Sequence, residues 1–127
     1  MLKNNTMNNT ATLFEKIGGI KAVNAAVDIF YAKVLCDESV KHFFTQTDMK
    51  RQSGKLKAFL AYAFGAPMNY TGKKMRTAHA QMVISETQFN AVAGHLVTTL
   101  KELKVSQNLI DEVVVIALSV KDDVMGR

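Results

Sequence analysis

The chain has 127 residues, 48% of them hydrophobic, and a formal net charge of +5, which suits one domain with a core of its own. Its one cysteine, Cys36, excludes an internal disulfide framework and points to a reducing, cytoplasmic setting. No apolar run approaches a membrane span, the longest being Val113 to Leu118, and the Asn/Thr-rich start, Met1 to Thr10, lacks the apolar centre of a signal peptide.

Taken in order, the chain reads as helices throughout, an all-α domain over residues 12–127 after a frayed tail over 1–11. Thr12-Leu13-Phe14-Glu15 fits a capping box, in which the threonine hydroxyl and the glutamate carboxylate satisfy each other's free backbone N–H groups. Gly18-Gly19 ends that short helix, because glycine tolerates the dihedrals of a helix stop. The next helix is expected from Ile20 to Leu35, with Val23, Ala26, Val27, Phe30 and Val34 at helical spacing and Tyr31 beside the stripe. A short helical turn is expected from Val40 to Phe44. Asp48 is placed to cap a helix from Met49 to Phe64, whose inward face is Met49, Gln52, Leu56, Phe59, Leu60 and Ala63. Gln52 is the polar exception in that row, and Lys55 sits at its edge one turn on.

Gly65-Ala66-Pro67 closes this helix, and Met68 to Lys74 reads as an ordered loop. One or two helical turns remain for Arg76 to Met82, which include His79. Ser85-Glu86-Thr87-Gln88 is a second capping box, opening a helix that buries Phe89, Val92, Ala93, Leu96, Val97, Leu100 and Leu103. Ser106 is expected to cap the last helix, with Ile110, Val113, Val114, Ala117 and Val120 inward.

Eight of the 16 lysines and arginines lie between Lys41 and Arg76. A cluster of this kind serves a nucleic acid, a smaller anion, or only a solvated face. Tyr31 and Gln52 are polar groups on the inward faces of two helices, and burial costs free energy unless they are hydrogen-bonded. They either pair with each other or hold a ligand. A haem pocket asks for these residue types: an imidazole for the iron, donors for a polar ligand, and aromatic faces such as Phe43 and Phe44 against the porphyrin.

From Thr12 onward the chain resembles the group I (N-type) truncated haemoglobins, short globins built as a two-over-two helical sandwich. The resemblance is carried by Leu13-Phe14-Glu15-Lys16-Ile17-Gly18-Gly19, Phe30-Tyr31, Phe43-Phe44, Tyr62-Ala63-Phe64-Gly65, the run Tyr70 to His79, and Val105-Ser106-Gln107. It implies haem b, with His79 as the proximal iron ligand, Tyr31 as the distal donor and Gln52 as its partner. Phe44 would wedge against the porphyrin edge and Phe59 would line an apolar gas channel, with Leu56 and Met75 also against the haem. Lys73 and Arg76 are candidates for pairing with the propionates. Lys55 stands where some relatives carry a distal histidine, and is a candidate either for a propionate or for the iron. Ser119 to Val124 has no histidine of the kind that links covalently to a haem vinyl group in some relatives, so non-covalent haem is expected.

The resemblance implies a monomeric protein that binds O2, NO and CO. Its function is then either NO dioxygenation to nitrate, with an external electron donor or reductase, or gas binding and sensing without turnover. Neither a membrane nor a nucleic acid is expected as partner. The rival outside haem chemistry, a basic helical nucleic-acid binder, leaves Tyr31, Gln52 and His79 without a role. His42 and His95 match no ligand position.

Overall fold

The longest apolar stripe in the chain organises the fold. The computed structural model describes residues 11–68, 74–80 and 82–126. All but the last residue of the tail expected over 1–11, most of the loop expected between Met68 and Lys74, and Lys73 itself lie outside these residues. Among the described residues seven α-helices follow in order: α1 Leu13–Ile17, α2 Gly19–Leu35, α3 Met49–Ala63, α4 Met75–Ala78, α5 Glu86–Glu102, α6 Gln107–Ser119 and α7 Lys121–Met125. A 3-10 turn, Lys41–Phe44, stands between α2 and α3. The described residues contain no strand. Helix α2 packs on both α3 and α5, and α5 packs on α6, which makes two helical pairs laid over each other.

Three helix starts form as their side chains require. Thr12 and Glu15 make the reciprocal capping box of α1, Ser85 and Gln88 make that of α5, and Asp48 accepts from the N–H groups of Lys50 and Arg51 at the start of α3. Ser106 occupies the N-cap position of α6, but its hydroxyl makes no capping bond, so the expectation holds for position and fails for chemistry. The stripe of α2 is buried at Val23, Ala26, Val27, Phe30 and Val34, and Tyr31 joins it at 6% exposure. Thr99 is fully buried as well, because its hydroxyl donates to the His95 carbonyl at 2.8 Å. His95 is half-buried rather than apolar core: its Nε2 lies 2.6 Å from Asp37 Oδ2, tying α5 to the corner after α2. Hydrogen bonds from His95 and then Ser39 hold the Asp37 carboxyl down at about 2. His42 is exposed, its ring 4.2 Å from that of Phe43.

Three expected elements differ. The last helix is two: α6 ends at Ser119, where Val120 takes φ −106° and ψ 5°, and α7 starts anew at Lys121. The helix expected over Arg76 to Met82 is the single turn Met75–Ala78, with His79 as its C-cap. The inward faces expected for α3 and α5 are largely half-buried. On α3 only Leu60 and Ala61 are buried, and on α5 only Phe89, Thr99 and Leu100.

Helix α3 stops at Ala63 by geometry set before Pro67 is reached. The Ala66 N–H bonds to Ala61 O at 2.9 Å and the Gly65 N–H to Tyr62 O at 3.0 Å, the paired bonds of a Schellman stop. Gly65 takes φ +98°, and a Cβ there would meet Thr12 Cβ at 3.1 Å. The close approach lets Phe14 N–H reach Phe64 O at 2.7 Å, fastening α1 to the end of α3. Gly65→Ala is therefore expected to destabilise the fold by about 1–3 kcal/mol, read as a lower denaturation midpoint in urea at unchanged slope. An unchanged midpoint would mean that this corner is not under the constraint described.

Candidate haem site

Between the helical pairs lies one large cavity of about 970 Å³, at the upper end of the range for small-molecule sites. Helices α2 and α3 give it Tyr31, Gln52, Lys55, Leu56 and Phe59, and the 3-10 turn gives it Phe44. Met75 and His79 line it from α4 and its cap. These eight sequence-predicted site residues thus meet on one cavity. Arg76 does not line it: its Nε lies 3.0 Å from Asp123 Oδ1, so α4 is pinned to α7. Lys73 lies outside the described residues.

The cavity also explains the half-buried faces of α3 and α5. Phe59 and Leu56 on α3, and Val92, Ala93 and Leu96 on α5, line it. A stripe that faces a cavity has the same 3.6-residue period as one that faces a core, so periodicity does not tell them apart. Sequence reasoning also missed Val120 and Val124 as lining residues. The break at Val120 turns the last part of the chain over the cavity, and its bridge-region dihedrals leave no local sequence signal.

The polar chemistry is confined to a few groups. Gln52 Nε2 donates to the Tyr31 hydroxyl at 3.1 Å, joining α3 to α2. Tyr31 accepts this bond, so its own proton stays free to donate. Burial pushes the Tyr31 phenol above its ordinary pKa, and the Gln52 bond opposes that shift, so the group stays protonated near neutral pH. The Tyr31 ring is held between Phe30 and Phe44, at centroid distances of 5.1 and 5.6 Å.

His79 Nδ1 lies 2.8 Å from Met75 O. A carbonyl only accepts, so Nδ1 carries the proton and Nε2 is left with its lone pair. The same carbonyl accepts the His79 backbone N–H at 3.2 Å, which fixes ring and backbone together. An imidazole oriented in this way has the supporting hydrogen bond that a metal-binding histidine needs. Among the described residues, no group of three or more His, Cys, Asp or Glu is gathered that could hold a metal ion. A metal bound through His79 must therefore bring most of its ligands with it, and a porphyrin in an apolar slot meets that condition. No helix among the described residues is long and apolar enough to cross a membrane.

The bacterial-like globin family model matches residues 12–125. The group 1 truncated hemoglobin of Synechocystis is 48% identical over 111 residues, covering 84% of this chain and 90% of that one. The one from Tetrahymena pyriformis is 42% identical over 121 residues, covering 95% and 100%. The crystal structure of the 2/2 hemoglobin from Synechococcus, in the cyanomet state and with covalently attached heme, superposes with a TM-score of 0.88 at 49% identity, covering 92% of this chain and 100% of that one. The Tetrahymena pyriformis crystal structure gives 0.87 at 42% identity, with the same coverage. A match over nearly the whole chain, in sequence and in fold, places it in the bacterial-like globin family of haem-based gas-binding proteins, as a group 1 truncated haemoglobin.

Proposed function

We propose that this globin holds one non-covalent haem b through His79 and binds O2 and other diatomic gases beside Tyr31. We further propose that it turns O2 and NO into nitrate with electrons from an external reductase. The observation that carries the reading is the convergence of three groups on one apolar cavity: a tautomer-fixed imidazole at His79, a protonated phenol at Tyr31, and Gln52 bonded to that phenol. Haem would supply an iron able to bind a diatomic gas and to accept or give one electron. The chain would supply the rest. Phe44, Leu56, Phe59 and Met75 offer apolar surface to the ring. Lys55 is exposed on the lining, which suits an ammonium directed to a propionate better than one directed to the iron. Lys73 is proposed for the other propionate, while Arg76 already serves Asp123. The region Ser119 to Val124 holds no histidine, which supports a haem free of covalent attachment.

Tyr31 would donate to a ligand that carries partial negative charge, and Gln52, by donating to the phenol oxygen, would aim the phenol proton away from itself. In the overall reaction one O2, one NO and one electron give one nitrate, so each turnover needs an electron from outside the chain. The protein is proposed to act as a cytoplasmic monomer. The competing reading within the family is gas binding or sensing without turnover. Sustained NO loss and nitrate formation by the haem-loaded protein, with O2 and a reductant present, supports the enzyme. Consumption of a single equivalent supports the binder.

Three variants test the site. His79→Gly is expected to lose stable haem retention, or to keep haem only with added imidazole; a wild-type visible spectrum from this variant removes His79 as the ligand. Tyr31→Phe is expected to speed O2 release about ten- to a hundredfold, the equivalent of a hydrogen bond to a charged acceptor. Gln52→Leu should act in the same direction but less, and an unchanged off-rate in stopped flow for Tyr31→Phe excludes the phenol as donor. Lys55→Ala is expected to leave the ferric spectrum unchanged while haem dissociates faster; a change from low-spin to high-spin would instead make Lys55 an iron ligand.

A further inference from the structure

We propose that the rim of the cavity is a docking face for an acidic one-electron carrier protein, the donor that the proposed reaction requires. The inference rests on the haem reading given above and adds to it where the donor binds and what charge it carries.

From Met49 to Ser85 the chain contains no Asp or Glu, yet it holds Lys50, Arg51, Lys55, Lys57, Lys73, Lys74 and Arg76. This stretch includes α3 and α4, both of which line the cavity. Two of the cations are matched from other elements: Lys57 Nζ lies 3.1 Å from Asp28 Oδ1, and Arg76 Nε lies 3.0 Å from Asp123 Oδ1. The side chains of Lys50, Arg51, Lys55 and Lys74 are exposed, and among the described residues none of them makes an ion pair. Elsewhere Lys33 pairs with Glu102, Lys41 with Glu38 and Lys121 with Glu86, while Lys16, Lys21, Lys101 and Lys104 are unpaired among the described residues but do not line the cavity.

The unmatched charges are also placed where they matter. Arg51 and Lys55 stand one turn apart on α3, and both line the cavity while facing solvent, so they sit on its rim. Lys50 adjoins Arg51, and Lys74 directly precedes the lining residue Met75. Like charges at this helical spacing repel each other and so disfavour α3 slightly. A bound haem would bring two carboxylates, fewer than these four charges, and so would leave a surplus. Such a rim attracts an anionic partner and raises its rate of encounter, an effect that salt screens. A protein carrier that delivers one electron at the rim of the cavity fits the charge, the place and the need. In the step the carrier loses one electron and the ferric haem gains it, with no bond made or broken.

The test is stopped-flow reduction of the ferric, haem-loaded protein by a reduced acidic ferredoxin, chosen as the probe. The bimolecular rate is expected to fall at least about tenfold between low salt and about 0.5 M salt. At low salt the pair Lys50→Glu and Lys74→Glu, neither of which lines the cavity, is expected to slow it by about tenfold or more. Reduction by a neutral photoreduced flavin should be the same for wild type and variant, which shows that the haem site is intact. A ferredoxin rate indifferent to salt and to the charge reversal overturns the proposal. So does an RNA oligonucleotide or an anionic vesicle that binds at physiological salt through these two lysines while ferredoxin reduction is unaffected by their reversal. A chain that takes up no haem fails the reading above as well, whereas a haem-loaded chain with salt-insensitive reduction fails this proposal alone.

Discussion

The hydrogen bond from Gln52 Nε2 to the Tyr31 hydroxyl is the contact on which the site depends. It joins α2 to α3 inside an apolar setting, where an unpaired amide or phenol would cost a few kcal/mol. It also sets the polarity of the phenol. Because the oxygen accepts from Gln52, the proton remains free to donate, and burial keeps that proton on the oxygen. Phe30 and Phe44 flank the ring that carries this hydroxyl on the cavity lining.

His79 is held by a different economy of means. Its helix is a single turn with no side-chain N-cap, and none of its residues is buried. Order comes instead from one carbonyl, Met75 O, which receives both the backbone and the ring N–H of His79. Helix α7 packs on α4, with Arg76 and Asp123 linking the two. Lys121 in turn pairs with Glu86 and lies 5.5 Å over the Phe89 ring, so α7 is itself fastened to α5. The surface ion pairs in this chain of contacts contribute little singly. Their effect is to fix the position of a residue that the core does not hold.

The charge pattern divides the molecule in the same way. Outside the rim, Lys33, Lys41 and Lys121 each sit beside a matching acid. The stretch that forms the cavity rim carries cations alone. The side chains of Lys50 and Lys55 make neither a cap of α3 nor an ion pair among the described residues, which leaves both ammonium groups open to what approaches the cavity.

Much of this was legible in the sequence, for reasons that are local. Thr12 with Glu15, Asp48, and Ser85 with Gln88 cap their helices because each bond closes within three residues. The α2 stripe is buried because its period alone sets one apolar face. The residue types of Tyr31, Gln52 and His79 stood out as polar groups at odds with an ordinary core. Only the tertiary structure decided that Tyr31 and Gln52 pair, that His79 caps α4 with its Nδ1 committed, and that Leu56, Phe59 and Leu96 face a cavity instead of a packed interior. It also decided that Arg76 turns to Asp123 and that the last helix breaks at Val120. Each of these depends on distances between segments far apart in the chain, whereas helical period and capping are fixed by neighbours a turn away.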